Sequence, residues 1–305
     1  MPGSTVSTYV LKVAVAIGLV GAGARATHVY APALASSDSA RFAGVWARRS
    51  DAATALAAQH DVAAYSRFDD LLDNCDALAF AVPAAVQAEL VPVATAHNMA
   101  VLLECPIAAE LAGAAEMTRD VDVAGVVSQL ALIWRYADAV RQFLAAEVPR
   151  TRAQGGVGRL VSCVSSRPSA ASAWRLERGV LLDQGPHLID LLDAALGNIV
   201  GESAHGDPRG WLGLLLEHER GRSSEASLYA STERMSERAE VEVFGPGGSA
   251  AIDCADSVGP SAVATMFSEF ATAVERRTPH DLDVHRGLHL QQVIGAAVTD
   301  LVTGV

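Results

Sequence analysis

The stretch from Val13 to Ala26, VAVAIGLVGAGARA, decides how the fold begins. An unbroken apolar run reads as a strand buried on both faces. It runs straight into Gly21 and Gly23, whose freedom of backbone conformation permits a tight turn and close approach to a ligand. The residues after the turn favour helix. A helix starting there would offer unpaired N–H groups and a positive dipole end to a phosphate. Gly21-x-Gly23-x-x-Ala26 is the small-residue form of the dinucleotide-binding fingerprint. Such triplets also arise by chance in a chain rich in glycine and alanine, so its meaning depends on the segments downstream.

Outward from this turn, buried strands alternate with helices. Strands are predicted at 42–47 (FAGVWA), 62–65, 77–82 (ALAFAV), 100–103 and 123–128. Helices are predicted over 24–34, 50–59 with Ser50 as its cap, 87–97 and 110–119. This is the doubly wound α/β pattern. Beyond about residue 130 a helix over 134–147 leads to a strand-rich part, at 160–166, 211–218, 224–231, 239–244 and 250–253. Leu212, Leu214 and Leu216 alternate as on a half-buried sheet. The GPGG at 245–248 suits a hairpin, and helices return at 186–196, 261–276 and 288–302. The fold class expected is α/β. A Rossmann dinucleotide-binding domain spans 1–125, and an α+β domain with an open antiparallel or mixed sheet spans 126–305, its last helix packing back on the first domain.

Composition narrows the partners. The chain has 305 residues, half of them hydrophobic, and a net charge of −12, which argues against nucleic acid and anionic membranes. Its 4 cysteines are far apart without a CxxC, as in a reducing, cytoplasmic setting. Residues 1–9 carry no positive charge ahead of the apolar run, unlike a secretory signal. Lys12 is the sole lysine, so any chemistry needing that side chain must use it or do without.

Four further segments come in order: AFAVPAAVQ at 79–87, LLECPIAAE at 102–110, GVLLDQGPHLIDLL at 179–192 and VEVFGPGGSAAID at 241–253. With the glycine turn, they make the chain resemble the Gfo/Idh/MocA family of nicotinamide-dependent oxidoreductases, over nearly its whole length. The resemblance implies a cofactor across Gly21, Gly23 and Ala26, with Pro83 and Glu104 approaching the nicotinamide. It implies His187 as acid/base with Asp183 as its partner, and an arginine, here Arg135, near the substrate cleft. Sugars, cyclitols or related polyols are the implied substrates. The open sheet face implies a homodimer or homotetramer.

The sequence also departs from that family. The family lysine between Glu and Pro is here Cys105, and Gln87 stands where a histidine usually lies. A thiol is a weak hydrogen-bond donor and supplies no cation. Arg135 is a candidate to restore the charge. At the end of the second strand, where an NAD site holds an acidic residue for the ribose, this chain has Ala47, Arg48, Arg49 and Ser50. Two guanidiniums without a carboxylate suit a 2′-phosphate, so NADP(H) is expected over NAD(H). The other possibility is that the arginines are a solvated loop pair.

His187 suits proton transfer because an imidazole titrates near neutrality. Asp183 is four residues earlier, on the same face if the segment is helical; otherwise it merely caps the helix. Asp190 reads as structural. His285 and His289 have helical metal-ligand spacing, but no metal site is expected. Three readings stay open: a working oxidoreductase relying on His187 and Asp183, a reductase of an activated carbonyl or imine, and a cofactor-binding sensor without turnover.

Overall fold

The computed structural model describes residues 14–162, 179–207, 210–230 and 236–303; Lys12, Cys163 and the predicted strand residues 12–13, 163–166 and 231 lie outside them. The first sheet has six parallel strands, β1 (Val15–Val20), β2 (Ala40–Trp46), β3 (Ala64–Tyr65), β4 (Ala77–Phe80), β5 (Ala100–Leu103) and β6 (Ser128–Leu130), in the order β3-β2-β1-β4-β5-β6. Every residue of β1, β4 and β5 is buried, as their apolar runs require. Between the strands lie a π-helical turn (Ala26–Tyr30) running into α1 (Ala31–Ala35), then α2 (Ser50–Gln59), α3 (Phe68–Leu72), α4 (Ala84–Ala96) and α5 (Leu111–Ala124). In this strand order the winding reverses between β1 and β4, and ligands bind outside the carboxyl ends of the strands there.

Two local expectations need correction. Ser50 is the first residue of α2 and makes no capping bond; the residue before it, Arg49, is extended. The helix predicted to end at 119 continues to Ala124 and is stopped by Gly125, whose left-handed φ of +63° terminates it. Val123 therefore lies on a helix, and the last strand of the first sheet starts at Ser128.

The region predicted as one helix over 134–147 is instead a 3₁₀ turn (Ile133–Tyr136), α6 (Asp138–Gln142) and a π-helical turn (Phe143–Glu147), followed by α7 (Val148–Thr151). The second sheet comprises β7 (Gly155–Ser162), β8 (Ile199–Gly206), β9 (Trp211–His218), β10 (Arg222–Ala230), β11 (Arg238–Gly245) and β12 (Gly248–Asp253), in the order β12-β11-β7-β10-β9-β8. Only β7 and β10 pair in parallel, so the sheet is mixed. β8 is an addition to the expected strands: it is partly polar and lacks a clean period of two. One face is covered by α8 (Gly185–Leu196), while Trp211, Leu215, Tyr229 and Phe244 are exposed.

The chain closes with α9 (Pro260–Arg276) and α10 (Val284–Thr303). α10 touches both parts of the chain: the Ala204 N–H of β8 donates to its Asp300 at 3.2 Å. The Val284 N–H donates to Ser128 Oγ at 3.0 Å, and Gln291 exchanges bonds with the Ala108 backbone at 3.3 and 2.9 Å. A Cβ on Gly287 would stand 2.6 Å from Ile107, so a glycine is needed for this close approach.

A buried ionic network ties α8 to its neighbours. Arg135 donates to both oxygens of Asp190, at 3.2 and 3.0 Å, and Arg286 donates to Asp190 at 2.7 Å and also to Asp193. Asp193 further accepts from the Ile199 N–H at 2.9 Å and pairs with His289 at 2.8 Å. Burial alone would raise the Asp193 pKa, but His289, Arg286 and the backbone donor hold it below the usual carboxylate range. That contribution to stability is complete above the unfolded-state value near ~3.9 and is lost as pH falls through the lower folded-state one. Removing Arg286 takes a charged partner from two buried carboxylates, leaving Asp190 to Arg135 and Asp193 to His289 and the Ile199 N–H. Arg286→Met is expected to cost about 3–5 kcal/mol, read from the urea unfolding midpoint at pH 7.

Candidate active site

The glycine turn is wedged between the ends of β2 and β4. The Gly21 N–H donates to the Trp46 carbonyl at 2.8 Å. Its φ is +117°, and a Cβ there would sit 2.5 Å from the Ala81 carbonyl oxygen, so only glycine fits. Gly23 differs: a Cβ there would meet nothing within 4 Å. The protein itself does not demand glycine at 23, whereas a ligand approaching the backbone would. Ala26 is fully buried beneath the turn.

Two cavities meet here and share Gly23 and residues 81–83. The smaller, about 240 Å³, is lined by Gly21, Gly23, Arg48, Arg49 and Pro83, among others. Ser50 is not among its lining residues. The larger, about 610 Å³, brings Gly23 together with Glu104, Cys105, Asp183 and His187. Residues scattered over more than 160 positions thus face one cleft at the winding reversal. The cleft fits a dinucleotide: glycine backbone at the start of the helix over 24–35, guanidiniums at the end of β2, and titratable groups at the far end.

His187 sits near the start of α8, after helical residues 179–183 that hand over to α8 at Gln184. The Gln184 carbonyl accepts from its N–H at 3.1 Å, and its ring lies 5.4 Å from that of Trp134. Burial first, then the charge of Arg25, push its pKa down to about 4; Asp190 opposes them. The imidazole is therefore neutral at pH 7, and its buried Nδ1 has no hydrogen-bond partner among the described residues. Asp183 lines the same cavity as His187.

Glu104 is held on several sides. Tyr30 donates to its Oε1 at 2.8 Å and Arg25 Nε lies 3.1 Å from the same oxygen. Gln87, fully buried, accepts from the Glu104 N–H at 2.9 Å and donates to the carbonyls of Glu104 and Ile107 at 3.2 and 2.8 Å. This glutamine is the splint of the turn. Cys105, in a cis peptide with Pro106, is half-buried, and the pKa of its thiol is driven far up by burial and by Asp190 and Glu104. Arg135, expected near the substrate, is committed to Asp190 and is not among the cavity-lining residues.

His285 and His289 reach different carboxylates, Asp122 at 3.0 Å and Asp193 at 2.8 Å. Arg25 and Tyr30 carry no signal in the sequence, since their role depends on a tertiary contact with residue 104. Gln87→Leu would remove three hydrogen bonds to the backbone of residues 104 and 107 and is expected to cost about 2–5 kcal/mol in chemical denaturation.

Comparison with known proteins agrees with this geometry. Residues 15–132 match the model of an oxidoreductase family with an NAD-binding Rossmann fold, Gfo/Idh/MocA. No curated protein sequence matches the chain. Among solved structures, a myo-inositol dehydrogenase from Corynebacterium glutamicum superposes with a TM-score of 0.82 at 16% identity, covering 96% of this chain and 98% of that one. UDP-N-acetylglucosamine 3-dehydrogenase GnnA from Acidithiobacillus ferrooxidans gives 0.83 at 16%, covering 95% and 98%. An oxidoreductase from Agrobacterium radiobacter, in complex with NAD+, L-tartaric acid and magnesium, gives 0.82 at 17%, covering 96% and 98%. These likenesses are of fold. Residues 15–132 are thus similar to the NAD-binding Rossmann unit of the Gfo/Idh/MocA oxidoreductases, and the fold they begin is shared with these solved structures.

Proposed function

We propose that the protein is an NADP(H)-dependent oxidoreductase acting on a carbinol or carbonyl of a sugar-like, cyclitol or related polyol substrate. The observation that carries this reading is that Gly23, at the dinucleotide turn, and His187 line one cavity. When bound, the nicotinamide takes a hydride from a carbinol carbon or returns it. In the oxidative direction His187, neutral as it stands, accepts the hydroxyl proton as C–O becomes C=O. Asp183 holds the substrate beside it. Pro83 and Glu104 lie at the nicotinamide end, and Arg48 and Arg49 grip a 2′-phosphate at the other. Substrates of the structurally similar dehydrogenases, an inositol and a nucleotide sugar, support the polyol class.

Ser50 contributes at most its backbone at the start of α2, and Cys105 contributes shape rather than charge. Division near residue 125 into a dinucleotide-binding part and a substrate-binding part goes with this reading, as does assembly into a homodimer or homotetramer through the exposed face bearing Trp211 and Tyr229. Cys75, Cys105 and Cys254 are free thiols, as in the cytoplasm. Among the described residues no helix is long and apolar enough to cross a membrane. The competing reading, a dinucleotide sensor without turnover, draws on the neutral thiol at 105.

The test is NADPH or NADP+ turnover against a panel of polyols, keto-sugars and cyclic ketones. The native chain is expected to turn over, and His187→Ala to lose roughly 10²–10⁴-fold in kcat. NADPH binding without turnover of any panel member favours the sensor. Loss of both Arg48 and Arg49 to alanine is expected to weaken NADPH by about 10–100-fold and NADH little, in a fluorescence titration. Because His187 must be neutral to accept a proton, oxidation is expected to stay flat from pH 8 down past 6, with its acid limb at about 4 or lower.

A further inference from the structure

A hydroxyl losing its proton, or a carbonyl gaining hydride, builds negative charge on oxygen, and donors fixed in advance around that oxygen are among the strongest aids to such a step. Cys105 supplies no cation, and Arg135 is spent on Asp190. The described charged groups around His187 are Arg25 from the helix after the glycine turn, Asp183, Asp190 on α8, Glu104, and Glu237 and Arg238 on the second sheet's side. Of the two arginines, Arg238 is exposed at the start of β11. Arg25 is half-buried and bound through Nε to Glu104 at 3.1 Å, the residue adjoining Cys105. Its charge is felt by Asp183 and by His187.

We propose that Arg25 is the cation of the reaction, facing the reacting oxygen beside His187 and stabilising the negative charge that develops there. The inference rests on the oxidoreductase reading. Its bond changes are those of that reaction: hydride leaves carbon with its electron pair for the nicotinamide, the hydroxyl proton goes to His187, and C=O forms. Arg25 makes and breaks no bond. Glu104, fixed by Tyr30 and Gln87, holds the guanidinium of Arg25 in the cavity that Cys105 and His187 also line. After burial, the same charge helps to hold His187 neutral, the state that accepts a proton.

The experiment compares native protein with Arg25→Gln and Arg25→Gln/Cys105→Lys. Three readouts are followed: kcat, the NADPH dissociation constant, and the His187 titration in cofactor-free protein by histidine NMR, assigned with His187→Ala. Arg25→Gln is expected to lower kcat roughly 10²–10³-fold, change NADPH affinity by less than tenfold, and raise the His187 pKa. The added lysine is expected to recover at least tenfold in kcat. If Arg25→Gln does not fold, the double variant carries the test by itself: kcat within about tenfold of native, with a His187 pKa still below the ordinary value, supports the proposal. Unchanged kcat with an unmoved His187 titration overturns it, as does a defect confined to NADPH affinity. Native protein that binds NADPH but turns over nothing refutes the oxidoreductase reading instead, while an Arg25-dependent His187 titration still distinguishes the electrostatic link.

Discussion

A carboxylate withdrawn from water must be matched by charge and hydrogen bonds, and the way Glu104 is matched organises this molecule. Its oxygen takes both Tyr30 and Arg25 from the helix that starts at the glycine turn, and its backbone is clamped by Gln87 from α4. Three segments distant in sequence are thereby fixed at one point at the end of β5. Tyr30, deprived of water and facing a carboxylate, has its pKa raised and remains a donor. The turn at 104–106 also meets the C-terminal helix, through Ile107 against Gly287 and Ala108 against Gln291.

The second organising feature is the carboxylate pair on α8. Asp190 and Asp193 lie on the same helix as His187, deep enough to require compensation, and Arg135, Arg286 and His289 supply it from two other elements. Such a network adds little net stability over apolar packing, but losing one member leaves an uncompensated charge. Its effect is on position. α8 is held in register against α10 and the 3₁₀ turn at 133–136, so His187 meets the cleft at a fixed depth. The negative side of Asp190 also limits how far the imidazole pKa is driven down.

Much of this was legible from residue order. The all-buried strands, the turn at 21–23 and the hairpin at 245–248 are local signals, since apolar runs and glycine conformations are decided within a few residues. The gathering of Gly23, Glu104, Cys105, Asp183 and His187 followed from the family pattern. What stayed hidden depends on distant contacts. β8 is paired by β9 and covered by α10, so its own pattern carries no clear period. Arg135 pointed to the substrate by position alone, whereas a buried Asp190 outcompetes the cleft for it. Gln87 looked like a lost histidine; the structure gives it three backbone bonds that only an amide, with a donor and an acceptor on one planar group, can make together.

These placements bear on how a chain with a single lysine can still support charge at its active site. A cation at 105 would lie beside Asp190 and Glu104, both close enough to raise the pKa of the thiol that stands there. A neutral thiol instead leaves Glu104 to be neutralised by another partner, and Arg25 takes that place from the opposite wall. The exchange conserves local charge while moving its anchor from the turn after β5 to the helix after β1. An arginine so anchored stays protonated at any working pH, unlike a buried lysine, whose pKa falls readily. Its position is then tied to the segment that would cradle the cofactor's phosphates. In such a site, ordering of the glycine turn and placement of the positive charge become a single structural event rather than two.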